Sequence, residues 1–116
     1  YKMAKITAKQ IDVAEIHDAF TVCELMAVKD LGLSNGTSGA EYVRTLFNTE
    51  DRKINPRGGL IGAGHPLGAT GISQIMEITM QLQNTTGKRQ INDAKKGLVH
   101  NMSAAATSST VLVLES

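Results

Sequence analysis

Apolar positions recur along this chain in two rhythms. Ile11 to Ile16 is a short β-branched run that predicts a strand. The stretch Ala19–Leu31 predicts a helix with Asp18 as its N-cap. Phe20, Val22, Cys23, Leu25, Met26, Ala27 and Val28 make that helix apolar nearly all round, which predicts burial on every side, between layers, with large parts of its contacts expected from missing chain or another subunit. Gly32 to Gly39 reads as a loop. Ser38-Gly-Ala-Glu41 has capping-box spacing and opens a short helix with Val43, Leu46 and Phe47 on one face. Asp51–Lys53 is polar, and Ile54-Asn-Pro56 is a very short strand that Pro56 terminates. A second long helix is predicted over Gly68–Gln83, with Ile72, Ile75, Met76, Ile78, Met80 and Leu82 on more than one face. Asn84–Gln90 is a polar turn. Lys96–Val99 and Thr107–Glu115 close the chain as two strands on a short link, which predicts antiparallel pairing. Tyr1–Lys9, with Met3 and Ile6 among lysines, reads as the end of a helix. Strands alternating with long helices predict an α/β layer fold around a mixed sheet, with right-handed crossovers.

One stretch breaks the rhythm. Asn55 to Gly71 reads Asn-Pro-Arg-Gly-Gly-Leu-Ile-Gly-Ala-Gly-His-Pro-Leu-Gly-Ala-Thr-Gly, with six of the 11 glycines, both prolines and one of three histidines. So many glycines suit left-handed backbone or close approach. The stretch ends where the second long helix begins, so that helix's N-terminal N–H groups are expected to face whatever His65 touches.

Composition narrows the function classes. The 116 residues make one domain or less, and a net charge of +1 gives no electrostatic case for nucleic acid or an anionic membrane. A single cysteine excludes an internal disulfide framework and fits a reducing compartment. No transmembrane run or signal peptide is visible. The start at Tyr1, already close to helical pattern, suggests a piece of something longer, with the first strand of its domain absent.

The three histidines each stand at or just after a predicted strand: His17 after Ile16, His65 after Ile54–Pro56, His100 after Val99. Ligand sites of open α/β sheets cluster outside the carboxyl ends of strands, so parallel strands would bring all three to one edge. Histidine there serves as a general base or hydrogen-bond donor. A lone histidine is more often a satisfied structural one; three on one edge favour function. Other readings are weaker. Gly62-Ala-Gly64 is followed by Gly68, so dinucleotide-loop spacing fails by one residue, and Thr86-Gly-Lys-Arg lacks the P-loop frame. The histidines lack zinc-ligand spacing. Cys23 reads as a small buried hydrophobe, the methionines as core, and Lys88, Lys95 and Lys96 as a solvated face.

Gly64-His-Pro-Leu-Gly-Ala-Thr-Gly71, preceded by Asn55-Pro-x-Gly-Gly59, resembles the C-terminal half of a thiolase. His17-Asp-Ala-Phe20, Gly87-Lys-Arg-Gln90 and His100-Asn101 are similar to the branch holding sterol-carrier-protein thiolases and archaeal acetyl-CoA acetyltransferases. The resemblance covers essentially the whole chain. It implies an α/β/α half with a mixed β-sheet flanked by helices. It implies acyl transfer to coenzyme A, or Claisen condensation of two acyl-CoA molecules, through an acyl-cysteine whose thiol belongs to a missing N-terminal half. His65 would take the proton from that thiol. His17 would help hold an oxyanion. Phe20, Gly59, Gly64 and Asn101 would border the substrate. No covalently bound cofactor is implied; coenzyme A is substrate or product. A homodimer or homotetramer in a cytoplasmic or peroxisomal compartment is the corresponding assembly. This chain departs from the family twice. The second acid/base cysteine is absent both at Ala19 and at His100-Asn101, so His100 or Cys23 would have to replace it. The turn after Asn101, usually glycine-rich, is Met102-Ser-Ala-Ala-Ala106 and is expected to take another path. The alternative is a thiolase fold that binds acyl-CoA or lipid, or scaffolds a partner, without turnover.

Overall fold

The centre of the fold is a strand that can be approached closely on one face. In the computed structural model, which describes residues 1–49 and 52–116, strand β2 (Lys96–Met102) lies between β1 (Val13–Glu15) and β3 (Ser109–Glu115). β1 pairs parallel to β2, Val13 opposite Gly97 and Glu15 opposite Val99. β3 pairs antiparallel, Lys96 opposite Glu115 and Met102 opposite Ser109, as the short link predicts. On the far side of β1, Ile54 makes a single parallel bridge to Ala14 in place of a full strand. Asn55 turns the chain away there at φ 50°. The mixed sheet of the predicted α/β class is therefore present.

Among the described residues four α-helices accompany it: α1 (Thr21–Asp30), α2 (Gly39–Phe47), α3 (Gly59–Ala63) and α4 (Thr70–Leu82). Alternation along the strands sends side chains to two cores. Ala14, Ile16 and Leu98 pack with Ala27, Val28 and Leu33 beside Tyr42 and Leu46, on the α1–α2 face. Val13 and Val99 pack with Ile78, Leu82 and Ala94 on the α4 face. Gly97 lets α4 settle on the sheet, since a Cβ there would lie 2.2 Å from Cγ2 of Ile78. Gly39 does the same for α2 on α1: a Cβ would fall 1.8 Å from the Leu25 carbonyl oxygen. Ser38 caps α2, its hydroxyl accepting the Glu41 N–H at 3.2 Å, in agreement with the capping-box reading.

Several expectations are corrected. Tyr1–Lys9 forms turns and no α-helix; the Tyr1 hydroxyl ties it down by donating to the Leu31 carbonyl at 2.7 Å. The long helices are not buried on every side within this chain. Val22 and Met26 of α1, and Ile72 and Met76 of α4, are exposed, because each face of the sheet carries a single layer of helix. Asp18 does not cap α1; Phe20 occupies the N-cap, with no side-chain bond. The glycine stretch is not all loop, since it contains α3. The expectations for the Phe47 side chain and for Asp51 lie outside the described residues.

Candidate active site

The site grows from the end of β1. Ile16 donates its N–H to Oδ1 of Asn55 at 2.8 Å, in a buried bond that joins the strand end to the glycine stretch. His17 and Asp18 follow, both buried. Asp18 reaches α3 and accepts the Leu60 N–H on Oδ1 at 2.6 Å. This contact requires glycine next door. Gly59 has φ 62°, and a Cβ on it would meet Asp18 Oδ2 at 2.0 Å. Helix α3 then stops at Gly64, whose φ of 90° turns the chain so that His65 comes back over the end of β1. The rings of His17 and His65 meet edge to face, 4.9 Å between centroids and 87° between planes.

The protonation of His65 follows from its neighbour. Its Nδ1 lies 2.7 Å from the Thr70 hydroxyl, and that hydroxyl donates its one proton to the Pro66 carbonyl at 2.9 Å. With the hydroxyl proton on Pro66, the hydroxyl accepts from the histidine, an arrangement that puts a hydrogen on Nδ1 and leaves Nε2 to serve as acceptor. The same Pro66 carbonyl takes the N–H groups of Ala69 and Thr70, at 2.9 and 3.0 Å. The N-cap and first N–H groups at the start of α4, those of Ala69 and Thr70, are thus satisfied within the loop.

His17 is 4 % exposed, and its Nδ1 has no partner among the described residues. Burial, then the positive charge that His65 could carry, push its pKa below the ordinary histidine value, against the pull of Asp18. It is therefore a neutral imidazole with one N–H to donate.

Strand β2 sorts the two residues of the His100-Asn101 pair onto opposite faces. Asn101 faces α4, where its Nδ2 donates to Oε1 of Gln74 at 2.8 Å. The ring of His100 faces α1 and bonds Ser109 through Nε2 at 2.9 Å. Burial and then His17 lower its pKa. The three histidines thus share one end of the sheet, but only His17 and His65 stand together. His65 and Asn101 line a cleft of about 340 Å³ with Leu67, Met102, Ser108 and Thr110. His100 lines another of about 380 Å³ with Cys23 and Met26. Phe20 stands 70 % exposed at the start of α1, and Gly59 is buried behind the histidines against Asp18. Gly64 lies directly before His65. The turn after Asn101 takes its left-handed residue without glycine, at Ala106 with φ 52°.

Two residues that matter here escaped the sequence reading, Gln74 entirely and Thr70 as anything but part of a motif. The signal was available: they are polar, four residues apart, and on one face of the helix, in line with Glu77, Ile78 and Gln81.

A mixed sheet with helices on both faces, and two histidine rings in contact at one end of it, define an α/β domain with a candidate site at the sheet edge. The chain matches the thiolase C-terminal domain-like family over residues 1–116, and it belongs to that family. It is 41 % identical over 113 residues to an acetyl-CoA acetyltransferase of Methanothermobacter thermautotrophicus, covering 96 % of this chain and 30 % of that protein. It is 46 % identical over 104 residues to human sterol carrier protein 2, covering 88 % of this chain and 19 % of the relative. A Caenorhabditis elegans non-specific lipid-transfer protein-like 2 is 41 % identical over 100 residues, 84 % of this chain and 24 % of the relative. The chain thus spans less than a third of the length of these relatives. No helix among the described residues is long and apolar enough to cross a membrane.

Proposed function

We propose that this chain is the C-terminal half-site of a thiolase-type acyl-CoA acyltransferase, acting with a cysteine thiol supplied by an N-terminal half. The observation that carries the reading is the contact between His65 and Thr70: a Thr70 hydroxyl that donates to Pro66 accepts Nδ1–H, which leaves Nε2 to act as the base. In the reaction, Nε2 takes the thiol proton and the thiolate sulfur attacks the thioester carbonyl carbon. The carbonyl π pair moves onto oxygen, and the neutral His17 donates a hydrogen bond to that oxyanion. When the oxyanion collapses, the bond to the sulfur of coenzyme A breaks, and His65 returns its proton to that leaving thiolate. The products are acyl-cysteine and free coenzyme A. Asn101 borders the cleft in which the reacting carbon would sit. His100, on the other face, would reach the reaction only from behind the strand, so the second proton transfer at the α-carbon falls to groups outside the His17–His65 pair.

The test is acyl-enzyme formation from radiolabelled acetyl-CoA in the protein carrying both halves. His65→Asn is expected to slow acylation by about 10²–10⁴-fold, the range for loss of a general base. Acylation at the unaltered rate would exclude His65 from the role.

The second reading, binding of acyl-CoA or lipid without turnover, is favoured by Ala19 and Asn101, which stand where relatives of this type carry an acid/base cysteine. Thiolysis of acetoacetyl-CoA by the assembled protein separates the two: turnover supports the enzyme, and tight binding without turnover supports the carrier.

A further inference from the structure

Gln74 is fully buried on α4, one turn beyond Thr70, and both ends of its amide are engaged. Its Nε2 donates to the His100 backbone carbonyl at 3.2 Å, and its Oε1 accepts from Asn101 Nδ2 at 2.8 Å. The orientation is dictated, because a backbone carbonyl can only accept. Nε2 must therefore face His100, Oε1 must face Asn101, and Asn101 must turn its own nitrogen toward Gln74. Rotating the Asn101 amide would set two carbonyl oxygens against each other where no water reaches Gln74. Asn101 lines the His65 cleft, and what it has left is Oδ1 and its second Nδ2 hydrogen, neither with a partner among the described residues.

We infer that Gln74 is a positioning residue that fixes the Asn101 amide in one orientation at the His65 cleft, so that an incoming ligand meets Asn101 Oδ1 as a free acceptor beside one remaining N–H. Helix α4 sets both cleft residues: Thr70 orients the histidine and Gln74 orients the amide. Such a cleft recognises a hydrogen-bond donor. On the acyl-transfer reading above, on which the identity of the ligand rests, that donor is a thiol on an amide-bearing arm, as in the pantetheine end of coenzyme A.

The test has two arms. In ¹⁵N-labelled wild-type chain, the Asn101 side-chain amide protons are expected to show contacts to Gln74, with one of them exchanging slowly with solvent. Free exchange and no contact to Gln74 would overturn the proposal without any variant. In the assembled enzyme, Gln74→Met is expected to raise KM for coenzyme A about tenfold, the equivalent of one lost hydrogen bond. The rate of acylation at saturating acetyl-CoA is expected to stay within about twofold. A loss of kcat with KM unchanged would mean a role in structure alone and would also overturn it. The first arm involves no turnover. Ordered Asn101 protons in a wild-type protein that shows no thiolysis would remove the acyl-transfer reading and leave the positioning role standing.

Discussion

His17 and His65 meet edge to face at 4.9 Å although they lie 48 residues apart, one at the end of β1 and the other just beyond α3. Burial, and then the charge that His65 would add beside it, lower the pKa of His17. His17 and His100 both have pKa values lowered in the fold. A histidine lowered in this way contributes stability above its unfolded pKa of about 6.5, and that contribution is lost as pH falls through the folded value. His17→Gln is therefore expected to flatten the decline in stability below about pH 6.5. Urea midpoints measured between pH 5 and 8 check this; parallel curves for the variant and the wild type would contradict it.

Glu15 titrates in the opposite direction. It is buried in β1, and desolvation raises its pKa to about 7 in spite of Arg57, whose Nε donates to Oε2 at 3.1 Å. A carboxyl raised from the ordinary 4.5 contributes stability in full below that value and loses it as pH rises through about 7. Glu15→Gln cannot ionise. The stability of that variant relative to wild type should therefore rise by about 3 kcal/mol between pH 4.5 and pH 8. A stability difference that stays constant over that range would mean that Glu15 is ionised throughout.

The close helix contact at Gly39 predicts an intolerant position. Gly39→Ala drives a methyl group into the Leu25 carbonyl and should cost about 1–3 kcal/mol, read from chemical denaturation. Gly62→Ala is the matched control. Nothing lies within 4 Å of its added Cβ, and the residue sits inside α3, so it should be neutral or stabilising by up to about 1 kcal/mol.

The turn between β2 and β3 holds Ala106 at φ 52°, where an L-residue pays for contact between Cβ and its own backbone. Ala106 also donates its N–H to the Ser103 carbonyl at 2.9 Å, so the turn is closed by hydrogen bonding despite that strain. Ala106→Gly should stabilise the chain by about 1 kcal/mol, seen as a rise in Tm. An unchanged or lower Tm would place the turn elsewhere.

Much of the site was legible because its signals are local. A glycine at φ 90° before His65 and a glycine against Asp18 reflect needs of single backbone positions, and they leave glycines in the sequence that cannot be mistaken for core or surface. The two antiparallel strands were equally legible, since a short link leaves little other choice of pairing. Asp18 was misread for a physical reason. A carboxylate two residues before a helix looks the same in sequence whether it caps that helix or the Leu60 N–H, which is 42 residues away.

By itself the sequence determined the α/β class, the two long helices, the final hairpin and the presence of a histidine in a glycine-rich bend. All of these follow from periodicity and local backbone preference. Only the tertiary structure decided which histidines stand together. Period-two alternation along β2 turns His100 toward α1 and Asn101 toward α4, and nothing local says which face lies beside His65. The tautomer of His65 and the orientation of Asn101 were likewise decided by α4, through Thr70 and Gln74. Proton positions and amide orientations depend on partners across the fold, and those partners exist only once the helix has packed against the sheet.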